Sequence, residues 1–243
     1  MSSVRAQPDD GLDATPSRAE LLADAEILAN YFQRRLLSPS HRQPDSTATG
    51  ETSGEASGNA TSLHDAFLFG KYGKTPRQAA VLAPLYAREG KPYLLFTQRA
   101  SGLSRHSGEI SFPGGSRDPT DDSLAQTALR ESEEELGLPS ASVTLLGAMP
   151  PEYTVVSNFL VTPYVGWLGE GLPLLRPQES EVAEIIEAPV SALDDHLIYH
   201  EEMWSRGGGE AHTVHFYDFG PYRIWGFTGR LLHQLLALLP PHF

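Results

Sequence analysis

The most regular hydrophobic pattern in the chain recurs every three or four positions over residues 121–136. A helix with this period buries one side, and the apolar residues that form that side are Leu124, Ala125, Ala128, Leu129 and Leu136. Thr120 or Asp121 can cap its start, and Gly137 followed by Pro139 can end it. The pattern therefore predicts one amphipathic helix in the middle of the chain.

Two further helices are predicted near the ends of the sequence. Residues 17–37 begin with a capping box formed by Ser17 and Glu20 and continue with apolar residues at roughly helical spacing, so this helix must pack on something. Residues 228–239 carry a leucine-rich pattern that two prolines close.

Apolar runs typical of strands surround the central helix. Residues 79–87 and 93–98 are separated by REGKP, a turn rich in helix and strand breakers, and this arrangement predicts a β-hairpin. Further strands are predicted at residues 143–148, 159–167, 182–187, 214–219 and 222–225. Because each element must bury its apolar side on another layer, we expect an α/β (α+β) fold with a mixed β-sheet covered by helices.

Residues 38–62 have a different composition from the rest of the chain. They contain no Val, Ile, Leu, Met or aromatic residue, so they cannot bury enough surface to offset the entropy of ordering them. We interpret the segment as a flexible linker, and a phosphorylated regulatory segment stays open as an alternative. The expected organisation is an N-terminal tail and helix over residues 1–37, the linker over 38–62, and one domain over 63–243.

The charge of the chain narrows the possible partners. The 243 residues include 18 Lys and Arg against 31 Asp and Glu, a net charge of −13, which disfavours nucleic acid and anionic membrane surfaces as partners. There is no cysteine, which excludes disulfides, thiolate nucleophiles and Cys-containing zinc sites. The first twenty residues contain no apolar core and carry three aspartates, so we expect a cytoplasmic protein.

Four charged residues lie close together at the end of the central helix. On a helix Glu131 is a neighbour of both Glu134 and Glu135, and Arg130 is a neighbour of Glu134. These carboxylates either form a solvated, exposed helix face or converge on a divalent cation such as Mg²⁺ or Mn²⁺, which prefers carboxylate oxygens. We expect Glu134 and Glu135 on an exposed helix face, so substitution of either by Gln should cost little stability.

The sequence around these residues resembles the Nudix box. The stretch GGSRDPTDDSLAQTALRESEEELGL, residues 114–138, is similar to the pattern G-x5-E-x7-R-E-U-x-E-E-x-G-U, where U is aliphatic. Three positions depart from it: Ser116 stands at the expected glycine, Asp122 at the expected glutamate, and Ser132 at the first aliphatic position. The residues that the family uses for metal binding are retained.

A narrower resemblance, to the coenzyme A pyrophosphatase branch of the family, extends on both sides of the box. Residues 94–115, LLFTQRASGLSRHSGEISFPGG, resemble the segment that precedes the box in that branch, with the box glycine displaced by one residue. Ser104 and then Arg105 stand where many branch members have an arginine. Residues 159–165, 181–190 and 224–228 also look like that branch, and the matched segments run from about residue 76 to the C-terminus.

The resemblance implies a Nudix-type mixed β-sheet sandwiched between helices and a metal-dependent hydrolase of small-molecule substrates. The reaction would cleave the pyrophosphate of coenzyme A, or of its acyl or oxidised forms, to 3′,5′-ADP and 4′-phosphopantetheine. The implied metal ligands for Mg²⁺ or Mn²⁺ are Glu131, Glu134 and Glu135. The implied catalytic residues are Glu135, Glu134, Arg130 and Glu181, and the sequence does not separate base from ligand. The implied substrate contacts are Arg99, Arg105, His106, Gly114 and Gly115.

Several alternatives stay open from the sequence alone. The substrate could be another nucleoside diphosphate derivative such as ADP-ribose or NADH, or the chain could be a non-catalytic binding module on the same scaffold. The glycine turn at 114–115 can approach an anion or hold the helix against the sheet. His196 with His200, and His212 with His215, are better explained as structural or surface histidines than as zinc ligands. Trp225 could stack an adenine, although such aromatic clusters are usually core.

Overall fold

The computed structural model describes residues 15–38, 75–100, 108–154, 157–205 and 211–242. Its helices are α1 (Arg18–Ala23), α2 (Ala25–Arg35), α3 (Leu124–Leu136), α4 (Val190–Leu193) and α5 (Gly226–Leu236), with a short 3-10 helix at Ser140–Ser142. Its strands are β1 (Arg77–Arg88), β2 (Lys91–Arg99), β3 (Ile110–Ser111), β4 (Gly114–Ser116), β5 (Thr144–Ala148), β6 (Glu152–Thr154), β7 (Phe159–Glu170), β8 (Val182–Pro189), β9 (Tyr199–Trp204), β10 (His212–Phe219) and β11 (Tyr222–Ile224). No helix among the described residues is long and apolar enough to cross a membrane. Apart from Ser38, the predicted linker lies outside the described residues.

Strands β1 to β8 form one mixed sheet. β1 and β2 form the predicted hairpin, whose turn contains Glu89 and Gly90 with positive φ angles of 53° and 74°. β7 lies parallel to β1, while β5 and β6 pair antiparallel with β7 and β8 pairs antiparallel with β2. The short strands β3 and β4 pair with β2 and β1 respectively, beyond the part of the hairpin where β1 and β2 pair with each other. At the end of the sheet opposite the hairpin turn, β3 and β4 therefore lie beside β2 and β1.

The sheet separates two hydrophobic cores. Side chains alternate along a strand, and in β1 Ala83 and Leu85 belong to one core while Leu82 and Tyr86 belong to the other. Helices α1, α2 and α5 contribute to the first core, and α3 contributes to the second. The predicted architecture, a mixed sheet between helices, is confirmed.

The N-terminal helical segment is two helices rather than the single helix predicted over residues 17–37. The predicted capping box of Ser17 and Glu20 begins α1. Asp24 then adopts an extended conformation, and its side chain accepts hydrogen bonds from the backbone N–H groups of Glu26 and Ile27 at the start of α2. The break occurs because Asp24 competes for these donors as an N-cap, which an aspartate does well.

The boundaries of two other predicted helices also differ. Helix α3 begins after Ser123, whose side chain accepts from Gln126 N–H, so neither Thr120 nor Asp121 is its cap. Gly137 ends it in the left-handed conformation with φ of 64°, as predicted. Helix α5 covers Gly226–Leu236 rather than 228–239. Strand β9 was not predicted, because its residues lack an alternation of apolar and polar side chains; with β10 and β11 it forms a second, antiparallel sheet.

Candidate active site

The glycine turn packs directly against the carboxylates of α3. β4 pairs with β1 in the register Ala80 to Gly115 and Val81 to Gly114, which fixes the turn on the sheet. The N–H of Gly114 donates to Oε2 of Glu135 at 3.3 Å, and a Cβ atom at Gly115 would overlap the carboxylate of Glu131. Any side chain at Gly115 would therefore displace Glu131.

Glu135 lies in the interior rather than on an exposed helix face. It is 6% exposed. Burial raises its pKa to about 7, the Gly114 N–H and the charge of Arg99 oppose this rise, and the charges of Glu131 and Glu181 add to it. The expectation of an exposed Glu135 was wrong, because β4 covers the side of the helix on which this residue lies. Glu134, whose side chain is 56% exposed, does lie on the outer face.

Arg130 holds the other two carboxylates of the expected metal trio. Its guanidinium donates to Oε1 of Glu131 and to Oε2 of Glu134, each at 2.9 Å. Within the residues that the structure describes, no three acidic or histidine side chains are grouped closely enough to hold a metal ion as they stand. The expected convergence of Glu131, Glu134 and Glu135 is therefore absent from this arrangement, in which Glu134 is exposed and paired with Arg130 while Glu135 is buried.

Glu135 feels the charges of Glu131 and Glu181, and Glu131 feels those of Glu134 and Glu181. Burial raises the pKa of Glu131, Arg130 opposes the rise, and the charges of Glu134 and Glu181 add to it. Glu181 immediately precedes β8, and its carbonyl accepts from the N–H of Ala100 at 2.8 Å, just after Arg99 at the end of β2. Repulsion among half-buried carboxylates is what a hard divalent cation relieves, and its preferred ligands are oxygens of this type. The chemistry of these donors therefore suits such an ion, and the side chains would have to move closer together to bind it.

Asp121 is a site residue that the match to the Nudix pattern in the sequence did not identify. It is 3% exposed and forms a two-point ion pair with Arg130, Nε to Oδ1 at 2.9 Å and Nη2 to Oδ2 at 3.0 Å. The Oγ1 of Thr127 also donates to it at 2.8 Å. These contacts, above all the one with Arg130, lower the pKa of Asp121 to about 2. Asp122, which the pattern places at the acidic position, is exposed. The displaced glycine was the available signal, since shifting the acidic position by the same one residue selects Asp121.

Substitution of Asp121 by Asn should lower the free energy of unfolding by about 2–4 kcal/mol at pH 7, because it breaks a buried ion pair from one side. The folded-state pKa lies below the ordinary value, so the charged form contributes stability above about pH 4 and loses it as the pH falls towards 2. Denaturant unfolding of wild type and variant between pH 7 and pH 3 should therefore show a difference that shrinks on acidification. The exposed neighbour gives the control, Asp122→Asn, which should unfold like wild type. A difference that does not depend on pH would contradict the ion pair as its source.

The remaining residues singled out from the sequence are dispersed. Arg105 and His106 lie outside the described residues. His200 stacks on Phe216, and His215 stacks on His233 with ring centroids 4.0 Å apart. These contacts agree with structural rather than zinc-binding histidines. Trp225 is half-buried and belongs to neither of the two hydrophobic cores.

Comparison with known proteins identifies the family. The NUDIX domain model matches residues 76–204. The chain is 43% identical over 159 residues to an uncharacterized Nudix hydrolase NudL of Photorhabdus laumondii, covering 65% of this chain and 83% of that protein. It is 40% identical over 160 residues to the NudL protein of Salmonella paratyphi B, covering 65% and 81%. The chain therefore belongs to the Nudix family.

Solved structures of Nudix hydrolases are more distantly similar. The enzyme of Alicyclobacillus acidocaldarius is 19% identical, with 67% of this chain and 91% of that chain covered and a TM-score of 0.43. Family membership confirms the prediction of an enzyme of the Nudix pyrophosphohydrolase class. Enzymes of this family generally use a divalent metal ion such as Mg²⁺ or Mn²⁺.

Proposed function

We propose that this protein hydrolyses the pyrophosphate bond of coenzyme A, or of its acyl or oxidised derivatives, to 3′,5′-ADP and 4′-phosphopantetheine. One observation carries the proposal: two of the segments that resemble the coenzyme A pyrophosphatase branch, residues 94–115 and 181–190, meet at the acidic site. Residues 94–115 end at the turn that bonds Glu135, and residues 181–190 begin beside Arg99, in the register Arg99 to Val182. Part of the likeness to that branch therefore lies where a substrate would meet the carboxylates.

The metal ligands in this proposal are Glu131, Glu134 and Glu135. A bound Mg²⁺ or Mn²⁺ would neutralise part of the diphosphate charge and activate water for attack on phosphorus. Such an ion is needed because a chain with a net charge of −13 otherwise repels a polyanion. Glu134 is the ligand that would have to leave Arg130, and its exposure keeps that rearrangement inexpensive.

The other polar residues would orient the ligands and the substrate. Arg130, anchored by Asp121, holds Glu131 in place through a charge-assisted bond. Glu181 is the candidate base beside Glu135, which is itself either ligand or base. Arg99, Arg105 and His106 would contact the substrate phosphates together with the glycine turn at 114–115. We expect the reaction in the cytoplasm.

The test is an incubation of the purified full chain with coenzyme A, ADP-ribose and NADH, each with Mg²⁺ and with Mn²⁺, and separation of the products by chromatography. We expect 3′,5′-ADP and 4′-phosphopantetheine from coenzyme A at a higher kcat/KM than any product of the other two substrates. Turnover of ADP-ribose or NADH without 3′,5′-ADP from coenzyme A would assign the chain to another nucleoside diphosphate derivative. Binding of coenzyme A without turnover in either metal would identify a non-catalytic module.

A further inference from the structure

Strand β9 lies at one edge of the small sheet, and most of the usual protections of such an edge are missing from it. It pairs with β10 over its whole length without a bulge, and no other element among the described residues contacts it extensively. Natural proteins protect such edges with charged side chains, proline, bulges or covering elements. β9, with the sequence YHEEMW, has two glutamates but no lysine, proline or bulge, so its outer side, which we call the free edge of β9, can accept another strand.

The backbone groups that face the free edge follow from the pairing on the other side of β9. The N–H of Asp218 donates to the carbonyl of Ile198 at 2.8 Å, just before β9 begins. Because successive residues of an antiparallel strand turn their N–H and C=O groups to opposite sides, the groups of Tyr199, Glu201 and Met203 point away from β10. A row of backbone donors and acceptors therefore lies at the free edge of β9.

Large apolar side chains are exposed along the same strand. Leu197, in the turn before β9, is 79% exposed, and Met203 and Trp204 in β9 are 66% and 39% exposed. The structure describes six exposed large apolar side chains, and three of them are therefore at this one edge. Apolar side chains concentrated beside backbone groups that lack a strand partner are typical of an interface with another chain.

We propose that two copies of this chain pair antiparallel through the free edge of β9, about a twofold axis beside His200. Such an axis places one residue of the strand opposite its own copy. An axis at Glu201 or Glu202 would set two carboxylates directly against each other, which is unfavourable. An axis at His200 avoids this opposition, and it is the position in β9 that brings Leu197 against Met203 of the second copy.

The contacts of this register are complementary. Tyr199 lies opposite Glu201 of the second copy, and both residues turn their backbone groups to the free edge, so they exchange reciprocal hydrogen bonds. The hydroxyl of Tyr199 bonds Glu201 of its own chain at 3.0 Å, which gives this carboxylate a donor before the copies meet. A contact based on one strand of six residues falls below the about 800 Å² per partner of a standard interface, so we expect a dimer that dissociates in the micromolar range.

Sedimentation velocity of the full chain, over concentrations that span the micromolar range, tests the pairing. Wild type should change from monomer to dimer as the concentration rises. Glu201→Pro removes an N–H that faces the free edge and keeps the bonds to β10, so it should raise the Kd of the dimer about tenfold or more. Glu201→Ala keeps the N–H and is the matched control, which should dimerise like wild type. Met203→Lys should also dissociate the dimer without a change in the backbone, and circular dichroism melts check that each variant is folded. A wild type that stays monomeric throughout, or a dimer that neither Glu201→Pro nor Met203→Lys weakens, would overturn the proposal.

A single introduced cysteine reports the register, because the chain has no cysteine of its own. Facing residues that do not exchange hydrogen bonds have Cα atoms about 4.5 Å apart, a separation that a disulfide can span. His200→Cys should therefore cross-link two copies under mild oxidation. Thr213→Cys is the control, since Thr213 is exposed on the central strand β10 and cannot meet its own copy across the axis. Equal cross-linking of both variants, or faster cross-linking of Glu201→Cys or Glu202→Cys than of His200→Cys, would overturn the proposed axis.

Discussion

Replacement of Glu135 by Gln is expected to lower kcat by about a thousandfold or more while the protein stays folded. The amide keeps the shape of the side chain and an oxygen that can accept from the Gly114 N–H, so the packing of β4 on α3 is preserved. It removes the negative charge that would meet the metal ion or take a proton from water. Because burial and neighbouring carboxylates already oppose that charge, the metal-free variant should be as stable as wild type or more stable.

Two measurements on this variant separate loss of function from loss of structure. In thermal unfolding, Mg²⁺ should raise the Tm of wild type and leave that of Glu135→Gln almost unchanged, since an ion that binds only the folded state stabilises it. Glu133→Gln is the control on the same helix, because Glu133 is exposed and its carboxylate bonds Ser140 instead of facing the site. Wild-type turnover in Glu135→Gln, or a Tm that still rises with Mg²⁺ as in wild type, would remove Glu135 from the site.

The relative positions of the glutamates on the helix could be predicted from the sequence, and the burial of Glu135 could not. Helical spacing alone places Glu131 beside Glu134 and Glu135, and the stretch at 130–138 matches the Nudix pattern closely. The burial of Glu135 depends on Gly114, 21 residues earlier in the chain, and on the turn before β8. Such contacts follow from the pairing of strands, and the spacing of apolar residues along a helix carries no information about that pairing. The prediction that the Glu135 carboxylate is exposed was therefore wrong, because tertiary contacts decide its burial.

Departures from the family pattern became understandable only with the contacts in view. Ser132, at an aliphatic position of the box, is buried, and its hydroxyl donates to the carbonyl of Ala128 at 2.7 Å, so its polar group has a partner. The break at Asp24 was missed because the apolar positions on both sides of it continue one helical pattern. The preference of aspartate for N-cap positions was the signal in the sequence, and it was outweighed by periodicity.

Helices α1 and α2 are part of the hydrophobic core, so residues 1–37 are not a separate appendage. Leu21, Leu28 and Phe32 are at most 1% exposed and belong to the same core as β2 and α5. Arg18 is paired with Asp194 and also bonds the carbonyl of Pro240, which ties α1 to the far end of the chain. These contacts join segments that are distant in sequence.

Deletion of residues 1–37 is therefore expected to abolish stable folding. Burial of each large apolar side chain contributes about 1.5–3 kcal/mol, so Leu21, Leu28 and Phe32 alone together contribute an amount comparable with the whole stability of a typical domain. The deletion also removes the bridge between Leu37 and Ala148 and leaves apolar surface of the core exposed. The matched control removes residues 1–14 alone and keeps α1 and α2. Soluble yield, circular dichroism and thermal melts should show a cooperative transition for the shorter deletion and none for the longer one. A longer deletion that still melts cooperatively near the wild-type Tm would mean that the remaining core closes without α1 and α2.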